Sequence, residues 1–341
     1  MKDKTVCAVV VTYNRKELLI SCLEALENQT RPIDAIYIVD NASTDGTPKL
    51  LFENKYLEEL PANELKENFE KTIQKGNTII HYLRTSENMG GAGGFYEGVK
   101  RAYNKGYDWF WLMDDDSEPL EDCLLSLMDY MDVENVSGLC SKVLDVNNSI
   151  ITVSRGYFNF NGIPMQDSVS LESYEKNNCL EIDMCSFVGL LVPRNAIEVI
   201  GFPNKDFFIH ADDLEYCIRL RTTGKILLIT DSIIIHKDEQ SKNYLVKEKF
   251  NRKSIRHPYD SLWLTYFYSR NIFWIGIKYG QNKIRLYYEV LIKLLAIITG
   301  ILIYDDHKFK RIKFIKEAYS DGFRGNFDNK KPKNLLYGDN K

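Results

Sequence analysis

The chain of 341 residues predicts an α/β protein: a mostly parallel sheet with helices on both faces, followed by a helical C-terminal region. Three observations carry this. Apolar runs alternate with amphipathic segments from Thr5 to Asp114, polar residues collect where those runs end, and after Pro258 the chain turns aromatic and then cationic. Alternating strands and helices imply parallel strands joined by right-handed crossovers. Such sheets bind ligands at the carboxyl ends of their strands.

The elements follow in order. "TVCAVVVTY" (Thr5–Tyr13) is continuous and β-branched, as a strand covered on both faces requires. Lys16–Asn28 places Leu18, Leu19, Cys22, Leu23 and Leu26 on one helical face. "AIYIVDN" and "NTIIHYLR" read as the next strands, with Leu50–Lys75 between them as a charged helical excursion. Gly93–Tyr103 repeats the helical spacing, and "WFWLMDD" closes the series as a fourth strand. Further on, "SIITVSRGYFNF" reads as an extension of the sheet, and "IEVIG" and "DDLEYCIRLRTTG" as helices closed by glycine. "KILLITDSIIIHK" reads as a strand pair or one bent strand. No internal repeat is apparent. The expected organisation is a catalytic domain over 1–257, a helical region over 258–327 and a mobile tail over 328–341.

Charge adds a second level. The net charge of −4 offers no electrostatic argument for nucleic acid as a partner. From Lys283 to the end, however, thirteen Lys and Arg face seven Asp and Glu, a local balance of +6 that leaves −10 on the rest. "LYYEVLIKLLAIITGILIY" carries only Glu289 and Lys293 as charges, which suits a packed or interfacial helix better than a membrane span. The cationic stretch "KFKRIKFIKEAY" follows. An anionic membrane surface is therefore the expected partner of this region. Seven scattered cysteines, with no CxxC pair, read as small buried hydrophobes in a reducing compartment. The first apolar run is too short for a signal-peptide core, so the expected location is the cytoplasm, at the inner face of its membrane.

Four stretches carry chemistry. In "WFWLMDDDSEP" three carboxylates crowd the end of a strand. Asp114 and Asp116, two apart on an extended chain, point the same way and can share one hard divalent cation, Mg²⁺ or Mn²⁺. That would offset their repulsion and leave positions open for phosphate oxygens; a solvated turn is the plainer alternative. In "NMGGAGGFYEGVK" glycines, Gly90 and Gly91 first among them, precede a helix and allow a phosphate close to backbone N–H groups. A tight packing turn is the alternative there. In "ADDLEYCIR" Asp212 reads as an N-cap with Glu215 completing a capping box, which leaves Asp213 free to act as a general base. His236, at a strand end, is either structural or a third metal ligand that tilts the preference toward Mn²⁺.

Taken in order, "VVVTYNR", "IVDNASTDGT" and "MDDD" resemble the opening and the metal-binding DxD motif of inverting family 2 glycosyltransferases of the GT-A fold. "ENMGGAGGF", the paired aspartates and the later His236 resemble bacterial galactofuranosyltransferases, and related rhamnosyltransferases share much of the pattern. The resemblance implies that Thr12, Tyr13, Arg15 and Asp40 hold the nucleoside, with Asp40 accepting from the pyrimidine N–H. It implies that Arg84, Asn88, Gly90, Gly91, Asp114 and Asp115 lie along the nucleotide, and that Asp114, Asp116 and His236 bind the cation. Asp213 is then the base, with Asp212 next in line. The implied donor is UDP-galactofuranose, with dTDP-rhamnose second, and the implied acceptor is a glycan, free or lipid-linked. Galactofuranosyltransferases often carry tryptophan directly before the paired aspartates; Ala211 stands there in this chain. A sugar-phosphate nucleotidyltransferase would also use a parallel sheet, glycines and a metal, but usually has a glycine-rich basic loop where "TYNRKE" stands.

Overall fold

The computed structural model describes residues 4–237, 245–249 and 251–338. The chain divides into two compact units, one of 1–157, 167–205 and 213–238, the other of 158–166, 206–212 and 239–341.

The strands of the first unit are β1 (Val6–Thr12), β2 (Ala35–Asp40), β3 (Phe69–Lys75), β4 (Thr78–Arg84), β5 (Trp109–Asp114), β6 (Ser117–Pro119) and β7 (Val136–Leu144), followed by β8 (Arg155–Asn159) and β9 (Met165–Ser168), whose ends pass into the second unit. Then come β10 (Cys179–Ile182), β11 (Met184–Cys185), β12 (Leu190–Pro193) and β13 (Lys225–His236). Ten of them form one sheet in the order β10-β13-β7-β12-β5-β1-β2-β4-β3, with β6 paired to β13. β5, β1, β2 and β4 run parallel, and every residue of β1 and β2 is buried. The helices are α1 (Lys16–Glu27), α2 (Thr47–Glu53), α3 (Gly90–Asn104), α4 (Cys123–Met128), α5 (Leu171–Lys176), α6 (Arg194–Ile200) and α7 (Asp212–Leu220).

Register matters most for function. Thr12 lies opposite Asp40, Asp40 opposite Arg84, and Val11 opposite Asp114. Four polar strand ends predicted separately from sequence thus stand side by side on one edge.

The glycines of α3 divide by role. A Cβ on Gly94 would lie 2.5 Å from Val11 Cγ1, and one on Gly98 would lie 2.4 Å from Val9 Cγ1, so both let the helix press onto β1. Gly90 has φ +73°, which suits glycine, whereas a Cβ on Gly91 would meet nothing within 4 Å.

Several expectations give way. The stretch 50–75 is not one helix: α2 is short, and β3 pairs antiparallel with β4 across a turn at Gly76, where φ is +60°. Phe69 and Ile73, two strand repeats apart, pack on the core, a period-2 signal hidden by the charges around it. "SIITVSRGYFNF" does not extend the main sheet; β8 pairs instead with β11, Met184 opposite Gly156 and Cys185 opposite Arg155. β13 is one strand with a register shift between Ile229 and Ile233, the bent-strand alternative.

The second unit holds the hairpin β14 (Leu245–Lys249) and β15 (Arg252–Arg256), then α8 (Leu264–Tyr279), α9 (Lys283–Tyr304), α10 (Lys308–Arg324) and α11 (Lys331–Tyr337). The hairpin therefore belongs with the C-terminal helices, and the expected boundary at 257 is not where the chain divides. The expected mobile tail from Asp328 contains α11, whose Leu336 is buried beside Tyr266 and Phe314. Pro332 is buried with it, the Tyr259 hydroxyl donates to the Leu336 carbonyl at 2.8 Å, and Lys331 pairs with Asp321 at 2.8 Å.

Candidate active site

The site grows from the loops that leave β1, β2, β4 and β5. After β1, Asn14 adopts a positive φ of 56° and its carboxamide oxygen accepts from the Thr44 N–H at 2.7 Å. Asp45 accepts from the Lys16 N–H at 3.1 Å, so the loops after β1 and β2 are laced together. Tyr13, on the same loop, is exposed.

Asp40 is fully buried at the end of β2. Its Oδ2 accepts from the Tyr82 hydroxyl at 2.8 Å and its Oδ1 from the Ser43 N–H at 2.8 Å. Burial raises its pKa above the usual carboxylate range, against the hydrogen bonds from Ser43 and Tyr82 and the charge of Arg84. Arg84 Nε lies 3.9 Å from Asp40, while its Nη atoms donate to the Ser43 and Ala62 carbonyls at 3.0 Å. Asn88 accepts from the Gly90 N–H at 2.8 Å. Asn41, which sequence reasoning passed over, donates to the Gly90 carbonyl at 2.7 Å and accepts from the Met89 N–H at 2.9 Å. It fixes the glycine turn, and its place directly after the Asp40 strand end was the available signal.

The carboxylate triplet is arranged differently from the expectation. β5 ends at Asp114, and Asp115 and Asp116 form a turn into β6, so Asp114 and Asp116 are not two residues of one extended strand. Asp115 and Asp116 are buried. Thr12 Oγ1 donates to Asp115 Oδ2 at 2.6 Å, and Arg15 Nη1 lies 2.6 Å from Asp116 Oδ2 and 3.4 Å from Asp115 Oδ1. Part of the compensation assigned to a metal therefore comes from Arg15. Burial pushes Asp115 up to about 6, against Thr12 and Arg15. Burial also acts to raise Asp116, but His236 and Arg15 outweigh it and hold that carboxyl below its ordinary value.

His236 reaches the triplet through sheet pairing: it stands opposite Ser117 in the β13–β6 ladder, and the Lys237 N–H donates to the Asp116 carbonyl at 2.8 Å. Its Nε2 lies 3.1 Å from Asp116 Oδ1. That oxygen is buried and has no well-aligned donor. A buried carboxylate oxygen beside an imidazole nitrogen is a donor pair that fits Mn²⁺. Among the described residues, no group of three or more His, Cys, Asp or Glu side chains converges as a metal site, so the expected set of Asp114, Asp116 and His236 is not assembled as such.

Asp213 is half-buried near the start of α7, with its Oδ1 accepting from the Leu214 N–H at 2.7 Å. Burial raises its pKa to about 6, opposed by local N–H groups and by Arg155. Arg155 is itself fully buried; its guanidinium donates to the carbonyls of Ser141, Ser154 and Val188 and to the Ser186 hydroxyl. α7 begins at Asp212, and Arg219 holds the Glu215 carboxylate at 2.8 Å.

A mostly parallel sheet with aspartates, a histidine and a glycine turn at its carboxyl edge places the chain in the class of GT-A glycosyltransferases, and comparison with known proteins agrees. Residues 7–185, more than half of the chain, match the family model described as glycosyl transferase family 2, and the chain belongs to that family. It is 29% identical over 227 residues to galactofuranosyltransferase GlfT1 of Mycolicibacterium smegmatis, across 65% of this chain and 67% of that protein. The GlfT1 of Mycobacterium tuberculosis H37Rv is 28% identical over 225 residues, 65% of this chain and 66% of that protein. Abequosyltransferase RfbV of Salmonella typhimurium is 31% identical over 137 residues, 39% of this chain and 34% of that protein. Among solved structures, GalNAc-T7 with UDP, GalNAc and Mn²⁺ aligns with TM-score 0.52 at 11% identity, over 82% of this chain and 54% of that one. The mannosyltransferase PcManGT of Pyrobaculum calidifontis, in complex with GDP-Man and Mn²⁺, aligns with TM-score 0.50 at 14% identity, over 94% and 73%. These two likenesses concern the fold alone.

Proposed function

We propose that this glycosyltransferase moves galactofuranose from UDP-galactofuranose onto a hydroxyl of a cell-surface or lipid-linked glycan, with inversion at the anomeric carbon. The observation that carries the chemistry is the carboxyl edge of the sheet, where Asp40, Thr12 and the Asp114–Asp116 turn stand together and His236 faces Asp116. Likeness to GlfT1 supports the sugar.

In this reading Asp40, oriented by Tyr82 and Ser43, accepts from the pyrimidine N–H. Asn41 and Asn88 hold the turn at Gly90 and Gly91, so that the start of α3 receives the diphosphate. Asp116 and His236, with Asp114 nearby in sequence, would hold Mn²⁺ or Mg²⁺, which would supply positive charge to the leaving diphosphate. The GalNAc-T7 and PcManGT structures, which share the fold, hold Mn²⁺. Asp213 takes the proton of the acceptor hydroxyl as its oxygen forms the new bond and the nucleoside diphosphate departs from the opposite face. A pKa near 6 leaves the base ionised at neutral pH while keeping it basic enough to work.

The decisive experiment offers a panel of nucleotide sugars with Mn²⁺, with Mg²⁺ and with EDTA, and follows nucleoside diphosphate release. UDP release from UDP-galactofuranose alone supports the proposal. Preference for dTDP-rhamnose moves the donor to the rhamnosyl alternative, and pyrophosphate formation from a sugar phosphate and a nucleoside triphosphate would point to a nucleotidyltransferase.

A further inference from the structure

The second unit presents a surface that transfer chemistry does not use. α9 has 22 residues, and its most apolar stretch has mean hydropathy 2.0 with only 17% of it buried. Its inward side packs through Leu286 and Val290 against Phe273, Ile315 and Tyr319. Helical spacing puts Ile284, Tyr288, Leu291, Leu295 and Leu302 on one outward stripe, each between 51% and 85% exposed. The stripe runs about 27 Å, at 1.5 Å per residue.

By length alone α9 could cross a bilayer. Its polar neighbours argue otherwise. The hairpin of β14 and β15 packs along its last turns: Lys247 Nζ donates to the Tyr304 carbonyl at 3.1 Å and Lys249 Nζ to that of Ile303 at 3.3 Å. Arg256 pairs with Asp305 at the helix end. Near the other end, Glu289 accepts from the Ile163 N–H at 2.9 Å and pairs with Arg285. A crossing helix would carry Lys293, midway along it, into the hydrocarbon, at about 2.5–3.5 kcal/mol for a Lys near the centre. An in-plane helix leaves all of these groups in the headgroup layer or in water.

The charge around the stripe names the partner. Exposed Arg252 and Lys253 lie on the hairpin, exposed Lys308, Lys310 and Lys313 lie on α10, and Phe309 between them is 90% exposed. An apolar stripe flanked by cations and aromatics matches an anionic lipid surface. We propose that α9 lies in the plane of an anionic bilayer, with the Ile284–Leu302 stripe at the headgroup–acyl boundary and the neighbouring lysines and arginines on lipid phosphates. This docking does not depend on which sugar is transferred, and its test reads binding rather than turnover.

The full chain is sedimented with vesicles of phosphatidylcholine, with and without phosphatidylglycerol, at low and high salt. Binding is expected to the mixed vesicles, weakened by salt, and lowered at least about tenfold in the double variant Leu291→Glu, Leu295→Glu. Both side chains are exposed, so the variant's melting temperature should match wild type. A Tyr288→Trp variant should be quenched by lipids brominated near the headgroup. No binding to either vesicle would overturn the proposal. So would a wild-type dimer that the double variant converts to monomer without change in vesicle binding, because the stripe would then be an interface between copies. Labelling of cysteines placed at the two ends of α9 from opposite sides of a vesicle would overturn it in favour of a span.

Discussion

Asn271 Nδ2 donates to the His210 carbonyl at 2.8 Å, and the same amide lies 3.1 Å from the carbonyls of Ile209 and Phe207. Both residues belong to the second unit. The loop they tie together is strained: Phe208, His210 and Ala211 all have φ between 62° and 69°, without a glycine among them. Such conformations cost about 1–3 kcal/mol each and persist only where surrounding contacts impose them. Arg270 adds donors to the Asp206 and Phe207 carbonyls. The loop runs up to Asp212, the residue before the proposed base, and within this unit the buried "RN" of α8 holds it.

Asn271→Ala and Asn271→Asp should therefore both lower kcat, by at least about tenfold, because a small displacement of a reacting group is costly. The KM for the donor should change little. Stability should fall by about 1–3 kcal/mol as buried carbonyls lose their donor. Steady-state kinetics and urea denaturation measure the two effects. A fall in stability without a change in kcat would leave Asn271 only structural.

Asp213 makes a prediction with opposite signs for activity and stability. As a base it must be ionised, so kcat should fall about tenfold per pH unit below about 6, the pKa to which burial raises it. For stability, the folded state binds more protons than the unfolded chain between the ordinary aspartate value of 3.8 and about 6. Stability from this group therefore declines as pH rises through that window. Asp213→Asn should abolish turnover, retain donor binding and melt no lower than wild type at pH 7. Arg155→Met should move the acidic limb of the activity profile upward, because the opposing cation is gone, whereas Arg155→Lys should largely keep it in place. Full activity in Asp213→Asn would transfer the base to Asp212.

What could be read in advance divides along physical lines. The parallel strands and their polar ends were legible because the runs around Val9, Ile38 and Trp111 are apolar on both faces and break abruptly at charge. The edge strand around Ile73 was not, because Lys71 stands between Phe69 and Ile73 on their own face and breaks the alternation. Asp116 and His236 were legible as residue types at strand ends. The turn that separates Asp114 from Asp116, and the arrival of Arg15 beside Asp115 and Asp116, depend on how β6 folds back on β13, a long-range pairing with no local signature. The strained loop before Asp213 was invisible for the same reason: its donors come from Arg270 and Asn271, about sixty positions away.

The glycine run separates packing from ligand approach. Gly98→Ala sets a methyl against Val9 and Val39 and should cost about 1–3 kcal/mol of stability. Gly91→Ala meets open space and should leave the melting temperature unchanged. If a diphosphate lies against this turn, the added methyl should still weaken UDP binding, measurably by calorimetry. Unchanged UDP affinity in Gly91→Ala would move the phosphates away from α3.

The Asp116–His236 pair tests the metal directly. Calorimetry of UDP with wild type should show affinity that depends on Mn²⁺ and disappears with EDTA. His236→Ala removes a nitrogen donor and should raise the Mn²⁺ concentration needed for half-maximal activity about 10–100-fold. It should also narrow the advantage of Mn²⁺ over Mg²⁺, since the remaining donors are oxygens. Asp116→Asn should abolish metal-dependent UDP binding and also release Arg15 from its shortest carboxylate contact. Arg15→Gln distinguishes these effects. If the guanidinium only balances the carboxylates, Mn²⁺ affinity should rise when it is removed, because the cation no longer competes with a fixed positive charge. If Mn²⁺ affinity instead stays level while UDP affinity falls, Arg15 serves the nucleotide rather than the carboxylates.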